Sequence, residues 1–242
     1  LDMAGWDLYG KLKGKQLHNL WGLDVTKSPV TDFTIGIDSI ENMVAKMKEM
    51  PWPIYKVKVG VEGDLEMVAA LRKQTNAIIR VDANAGWTLE QALQKIPVLK
   101  ELGVEFIEQP LANDDWDGMK ILFEKSGLPL IADESCVAEK DVESCCGFFH
   151  GINIKLTKCS GITPARRMIT RAKELGMKVM VGCMNESSVG TAAIAQLAPM
   201  LDYVDMDGAL LLAEDIAIGV VFDNGKIIYN EIPGLGLGVS NF

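Results

Sequence analysis

The sequence predicts an α/β fold of the (β/α)8-barrel type, and three observations predict it. Short apolar runs recur eight times along the 242 residues. Segments with helical spacing separate them. The ends of the runs from the second onward, at positions 58, 82, 108, 133, 155, 182 and 207, lie 22 to 27 residues apart. One strand, one crossover helix and two short loops need that length, because a parallel crossover takes at least ~12 residues. Strands alternating with helices imply a parallel sheet, and eight repeats imply closure. An open doubly wound sheet is the rival. It would want a glycine-rich phosphate turn after its first strand, and Ile37-Asp38-Ser39 supplies none.

In chain order, residues 1–23 (LDMAGWDLYGKLKGKQLHNLWGL) read as a helix leading into the barrel. Strands are predicted at 33–37, 54–59, 78–81, 105–107, 128–132, 151–154, 178–181 and 203–206. Each is rich in Val, Ile or Leu, as strands buried on both faces are. Between them, Ile40, Met43, Val44 and Met47 step at helical spacing, as do Leu65, Val68, Ala69 and Leu71. The segment 164–175 opens with a proline suited to a first turn and stops before Gly176. Residues 222–229 contain Asp223-Asn224-Gly225-Lys226, a two-strand hairpin signal. Gly234, Gly236 and Gly238 then predict a flexible tail. The domain reading is a barrel with its leading helix over 1–221 and a hairpin with tail over 222–242. The run GLGLG lacks the G-x-G-x-x-G spacing and the strand–helix context of a nucleotide site.

Composition narrows the class. The formal net charge is -9, with 33 acidic against 24 basic residues, which disfavours nucleic acid and anionic membranes as partners. No apolar run reaches the ~18 residues of a membrane span. Five cysteines, an odd number with no C-x-x-C, point to reduced thiols and a cytoplasmic setting rather than a disulfide framework.

The polar residues at the strand ends carry the chemistry, because barrel enzymes work at the carboxyl ends of their strands. Asp82, Glu108 and Asp133 end three successive strands, which would aim three carboxylates at one volume. Unpaired, they would repel and cost several kcal/mol each to desolvate. A hard divalent cation removes that cost, and an all-oxygen donor set favours Mg²⁺, with Mn²⁺ as the substitute. Acidic residues also open loops as helix caps or turn formers, and three at equivalent places argue for the metal. Lys58 ends the strand before the first carboxylate and Lys155 the strand after the last. Strands two and six of an eight-stranded barrel are opposed, so the two amines would face each other across the metal. Lys56 shares the strand face of Lys58. A neighbouring ammonium and a metal lower a lysine pKa, as a general base requires. Salt-bridge partnership with the same carboxylates is the alternative role for Lys56 and Lys58.

Together these residues resemble the enolase superfamily in its muconate-lactonizing-enzyme subgroup. The resemblance runs from the leading helix to PGLGLG. It rests on Lys-x-Lys at 56–58, Asp-Ala-Asn at 82–84, Glu-Gln-Pro at 108–110, Asp-Glu-Ser at 133–135 and Asn-Ile-Lys-Leu-Thr-Lys at 153–158. It implies a TIM-like barrel, metal ligation by Asp82, Glu108 and Asp133, acid/base work by Lys58 and Lys155, electrostatic help from Lys56, and Asn84 near the metal. The mandelate-racemase subgroup instead places a histidine at the end of strand seven. Here that position reads Gly182-Cys183-Met184, and the two histidines are His18 and His150.

The end of strand eight, Val204-Asp205-Met206-Asp207, resembles the Asp-x-Asp element of the subgroup's dipeptide epimerases. There the two carboxylates hold the substrate's free ammonium group. Asp205 and Asp207 would share a strand face; helix capping is the other reading of the pair. Family members carry an N-terminal α+β capping domain, which is missing from this chain, and the hairpin over 222–229 is expected to pack with it. A homo-oligomer is the expected assembly. The implied reaction is a 1,1-proton transfer at the carbon α to a carboxylate, most simply on a dipeptide. N-acylamino acid racemase, o-succinylbenzoate synthase and cycloisomerase activities of the same subgroup are the alternatives. A metal-stabilised binding domain is the non-enzyme alternative.

Overall fold

A computed structural model describes residues 1–239. Eight strands follow one another in sequence order across one sheet: β1 (Phe33–Ile35), β2 (Ile54–Lys58), β3 (Ile78–Asp82), β4 (Val104–Glu108), β5 (Leu130–Ala132), β6 (Gly151–Ile154), β7 (Lys178–Gly182) and β8 (Tyr203–Asp205). The pairs from β1 to β6 and the pair β7–β8 are parallel. The fold is the expected (β/α)8-type barrel. All eight strands lie at or within two residues of their predicted bounds.

The helices are α1 (Asp2–Lys13), α2 (Leu17–Leu20), α3 (Ile40–Glu49), α4 (Asp64–Arg72), α5 (Leu89–Glu101), α6 (Trp116–Lys125), α7 (Asp141–Cys145), α8 (Leu156–Cys159), α9 (Ile162–Glu174) and α10 (Ser188–Leu197). The apolar spacing is the packing face: Met43 and Met47 of α3 and Val68 and Leu71 of α4 are buried. Helix α5 starts on a capping box, Thr88 with Gln91, which satisfies two orphan donors at once. Helix α9 begins two residues before Pro164, which therefore sits in its first turn.

The chain forms two compact units. One comprises Asp32–Cys136 and Lys140–Ile152 and holds β1 to β5 with the start of β6. Its core is Phe33, Ile35, Val57, Ile79, Val81, Phe106, Ile107 and Leu130, all buried. The other comprises Leu1–Thr31, Val137–Glu139 and the chain from Asn153 onward, and holds β7 and β8. Its core includes Leu17, Ile162, Ile169, Val179, Val181, Ile194 and Val204.

Two expectations near the termini are corrected. The leading helix is not continuous: α1 ends at Lys13, and Gly14 adopts a left-handed φ of 63° that accepts no further helical turn. The glycine-rich tail is not free. Strand β9 (Ala217–Ile218) pairs antiparallel with β12 (Gly238–Val239), and Leu17 N donates to Gly234 O. The hairpin forms as expected from β10 (Val221–Asp223) and β11 (Lys226–Ile228), turning at Asn224 and Gly225, both with positive φ.

Candidate active site

The strand-end residues of the first unit meet in one row. Lys58 on β2 is the register partner of Asp82 on β3, and Asp82 is the partner of Glu108 on β4. In-register residues of parallel strands point to the same face, so the three side chains stand side by side. The last alignment depends on an irregularity. Ile79 faces Val104 but Val81 faces Ile107, so β4 carries one extra residue between those points. Without that bulge Asp82 would face Ile107, and Glu108 would turn to the other face.

The charges in the row are coupled at short range. Lys58 Nζ donates to Asp82 Oδ2 at 2.7 Å and to Asn84 Oδ1 at 3.1 Å. Lys56 Nζ lies 3.3 Å from Asp82 Oδ2 and 3.0 Å from Glu108 Oε2. Lys56, Asp82 and Glu108 are fully buried, whereas the Lys58 side chain is 29% exposed. Of the two lysines in this row, Lys58 is the one that reaches solvent. Asn84 closes the turn by donating its backbone N–H to Asp82 Oδ1 at 2.9 Å.

The backbone beyond these carboxylates is held in a costly conformation. Asn84, Ala85 and Gln109 have φ of 45°, 60° and 34°. Non-glycine residues rarely adopt this region, and such strain clusters at functional sites. Two anchors hold it. The buried Gln109 side chain accepts from the backbone N–H of Asp133 at 3.0 Å and of Ser135 at 3.1 Å. It also donates to Leu111 O and Ser135 Oγ, each at 2.9 Å. This fixes Asp133, one residue past β5, in a buried position. The second anchor is Asp64. Its Oδ1 accepts from Gly60 and Val61 N–H, and its Oδ2 from Trp87 Nε1 at 2.7 Å and Lys95 Nζ at 2.5 Å. The loop after Lys58 is thereby tied to the loop after Asp82.

In the second unit, Lys155 follows β6 directly and is buried at the start of α8. Asp205 is the register partner of Gly182, and Cys183 N donates to Asp205 O at 2.8 Å. The pair Asp205 and Asp207 comes together, but not by strand alternation. β8 ends at Asp205, and Asp207 has the helical angles φ -83° and ψ -3°. A turn returns its carboxylate, so that one ligand atom each of Cys183, Asp205 and Asp207 lies within 4.8 Å of the others. The Glu186 carboxyl belongs to this neighbourhood. Burial pushes its pKa up, the Lys155 ammonium pulls it down and Asp205 pushes it up.

Residues 39–241 match the family model described as enolase C-terminal domain-like. The chain belongs to that family. Among relatives of the enolase C-terminal domain-like chain is the L-Ala-D/L-amino acid epimerase of Flavobacterium johnsoniae, 56% identical over 98% of this chain and 70% of that protein. The L-Ala-D/L-Glu epimerase of Bacteroides thetaiotaomicron is 45% identical, over 98% of this chain and 63% of that protein. The crystal structure of a dipeptide epimerase from Methylococcus capsulatus complexed with Mg ion is similar at a TM-score of 0.90. It is 34% identical and covers 98% of this chain and 73% of that one.

Sequence reasoning gives no role to Gln109, Asp64, Cys183 or Glu186. Gln109 stands inside the Glu-Gln-Pro motif, which is the one signal that could have singled it out.

Proposed function

We propose that this enolase-family chain is the barrel of a dipeptide epimerase acting by 1,1-proton transfer at the α-carbon of the C-terminal residue. The observation that carries the reading is the row Lys58–Asp82–Glu108 with Lys56 buried between the two acids. It puts a solvent-reachable amine beside a desolvated carboxylate pair. The names of the relatives support the same reading.

Asp82, Glu108 and Asp133 would hold Mg²⁺, or Mn²⁺ in its place. The donor set fits a hard cation: it is all carboxylate oxygen, with no soft ligand. When bound, the ion neutralises the charge that develops on the substrate carboxylate as the α-proton leaves. The rest is done by this chain. Lys58, as the free amine, takes the α-proton from one face and becomes an ammonium. Lys155, as an ammonium, gives a proton to the opposite face and becomes the amine. The configuration inverts, and the reverse passage exchanges their roles. Lys56 adds a fixed positive charge between Asp82 and Glu108. Asp205 and Asp207 receive the substrate's N-terminal ammonium through charge-assisted hydrogen bonds. Asn84 steadies Lys58 and the Asp82 turn. The five free thiols suit a reducing cytoplasm.

The test compares free-amine dipeptides with N-acylamino acids under Mg²⁺. The expected preference for dipeptides is at least ~10-fold in kcat/KM, because an acylated substrate leaves two buried carboxylates without their cation. Asp207→Asn should narrow that gap. Equal or reversed preference would move the chain to the N-acylamino acid racemase or o-succinylbenzoate synthase reading.

A further inference from the structure

We infer that Cys183 is a positioning residue that sets substrate specificity by aiming the Asp207 carboxylate; the inference rests on the reading of Asp205 and Asp207 as the ammonium-binding pair. The two acids are held by different means. Asp205 is the last residue of β8, in ladder register with Gly182, and its carbonyl accepts from Cys183 N. The sheet itself orients it. Asp207 lies beyond the strand in a helical conformation, so no ladder fixes its direction, although it is buried.

The Cys183 thiol is one of the groups that reach Asp207 from the neighbouring turn. It donates to Asp207 Oδ1 at 3.8 Å and accepts the backbone N–H of Gly208 at 3.3 Å. One side chain thus grips both the carboxylate and the peptide that follows it. Gly208 makes the grip tight. A Cβ there would lie 3.2 Å from Cys183 Sγ and would also run into Met184 O, so only glycine lets the β8 turn seat against the β7 turn. The reach of sulfur matters. A C–S bond is longer than a C–O bond, and a thiol is a weak donor that can share the carboxylate with a stronger one. An arriving ammonium therefore takes over Asp207 while the sulfur keeps its orientation. A serine in the same place keeps both hydrogen-bonding functions at shorter reach, and an alanine removes both.

The experiment measures kcat and KM for a free-amine dipeptide with wild type, Cys183→Ser, Cys183→Ala, Asp207→Asn and the Cys183→Ala/Asp207→Asn double variant, with melting temperatures alongside. The expected result is a KM raised about tenfold in Cys183→Ala, one order of binding. Its kcat should stay within about twofold, and its melting temperature should fall by no more than the lost acceptor of the Gly208 N–H accounts for. Cys183→Ser, whose hydroxyl falls short of Asp207, should lie between wild type and Cys183→Ala, and the double variant should bind no worse than Asp207→Asn alone, because residues acting as one unit do not add. A wild-type KM in Cys183→Ala, a loss confined to kcat, or additive losses in the double variant would each overturn the inference alone. A wild type that turns over no dipeptide would remove the functional reading and the inference together, so the two failures are distinguishable.

Discussion

The ammonium of Lys58 rests on Asp82, with Nζ 2.7 Å from Oδ2. The same oxygen faces Lys56 at 3.3 Å. A lysine that is to accept a proton must be released from its own counter-ion, and a divalent cation taking the carboxylate would do that. The geometry thus joins the two halves of the proposal: the residue proposed as ligand and the residue proposed as base are hydrogen-bonded partners.

Asp82→Asn should separate them. The variant loses a ligand charge and leaves Lys56 and Lys58 facing a neutral amide. The expected outcome is a loss of at least ~10-fold in Mg²⁺ affinity by titration calorimetry, together with disappearance of any Mg²⁺-dependent rise in melting temperature. Unchanged Mg²⁺ binding would take Asp82 out of the ligand set.

Gln109→Ala tests the anchor under Asp133. It removes four hydrogen bonds at a fully buried position. It leaves the Asp133 and Ser135 N–H groups without their acceptor, at about 1–3 kcal/mol per orphaned group. The variant should unfold at a lower urea midpoint and bind Mg²⁺ more weakly. A lowered midpoint with intact Mg²⁺ affinity would make Gln109 a stability residue only.

Gly86→Ala tests the contact between the loops that follow Lys58 and Asp82. A Cβ on Gly86 would lie 2.8 Å from Ala83 O and 2.8 Å from Gly60 Cα, closer than such atoms approach. Both neighbours are backbone, so relief requires the loops to part. The expected cost is ~1–3 kcal/mol in denaturant unfolding, with reduced turnover, since Asp64 ties those loops together. A neutral substitution would show that the loops yield freely.

Stability should also fall as pH drops through the histidine range. Burial lowers the pKa of His150 below its ordinary 6.5, and its Nδ1 accepts from Leu130 N–H at 3.1 Å. The unfolded chain therefore takes up this proton at a higher pH than the folded one, and the folded state loses stability as pH falls from about 6.5 toward the lowered value. His18 is lowered by burial too and acts in the same direction. Glu186 is raised and acts oppositely. Comparing wild type with His150→Gln, which keeps an acceptor but does not titrate, isolates the effect. The difference between urea midpoints at pH 7.5 and 5.5 should shrink in the variant. An equal difference would remove His150 from the account.

Much of this was legible in the sequence. The spacing of apolar runs placed all eight strands, and the strand-end residues Lys58, Asp82 and Glu108 stand in one row. What stayed hidden depends on geometry that no local pattern encodes. The extra residue in β4 that turns Glu108 into line looks like any other strand residue, because Val104, Phe106 and Ile107 are apolar enough for either register. Gln109 acts through the backbone N–H groups of Asp133 and Ser135, and Asp64 through the side chains of Trp87 and Lys95, all more than twenty residues along the chain. Asp207 reaches its partners through a turn rather than through the two-residue period that suggested the pair. The break at Gly14 did carry a local signal, a glycine following Lys11 and Lys13, the cation-then-glycine pattern of a helix end. The apparent tail misled because glycine richness suggests freedom, and here its backbone pairs with β9.

The most direct test of two-base proton transfer follows the α-proton itself. Single diastereomers of a dipeptide are incubated with the protein and Mg²⁺ in D2O and watched by proton NMR. Wild type should replace the C-terminal α-proton with deuterium while the other diastereomer grows in. Lys58→Ala and Lys155→Ala should each stop epimerisation, a general acid or base step being worth ~10²–10⁴-fold, yet each should still exchange the α-proton of one diastereomer, and not the same one. Epimerisation at wild-type rate in either lysine variant, or product formed without deuterium at the α-carbon, would contradict the account.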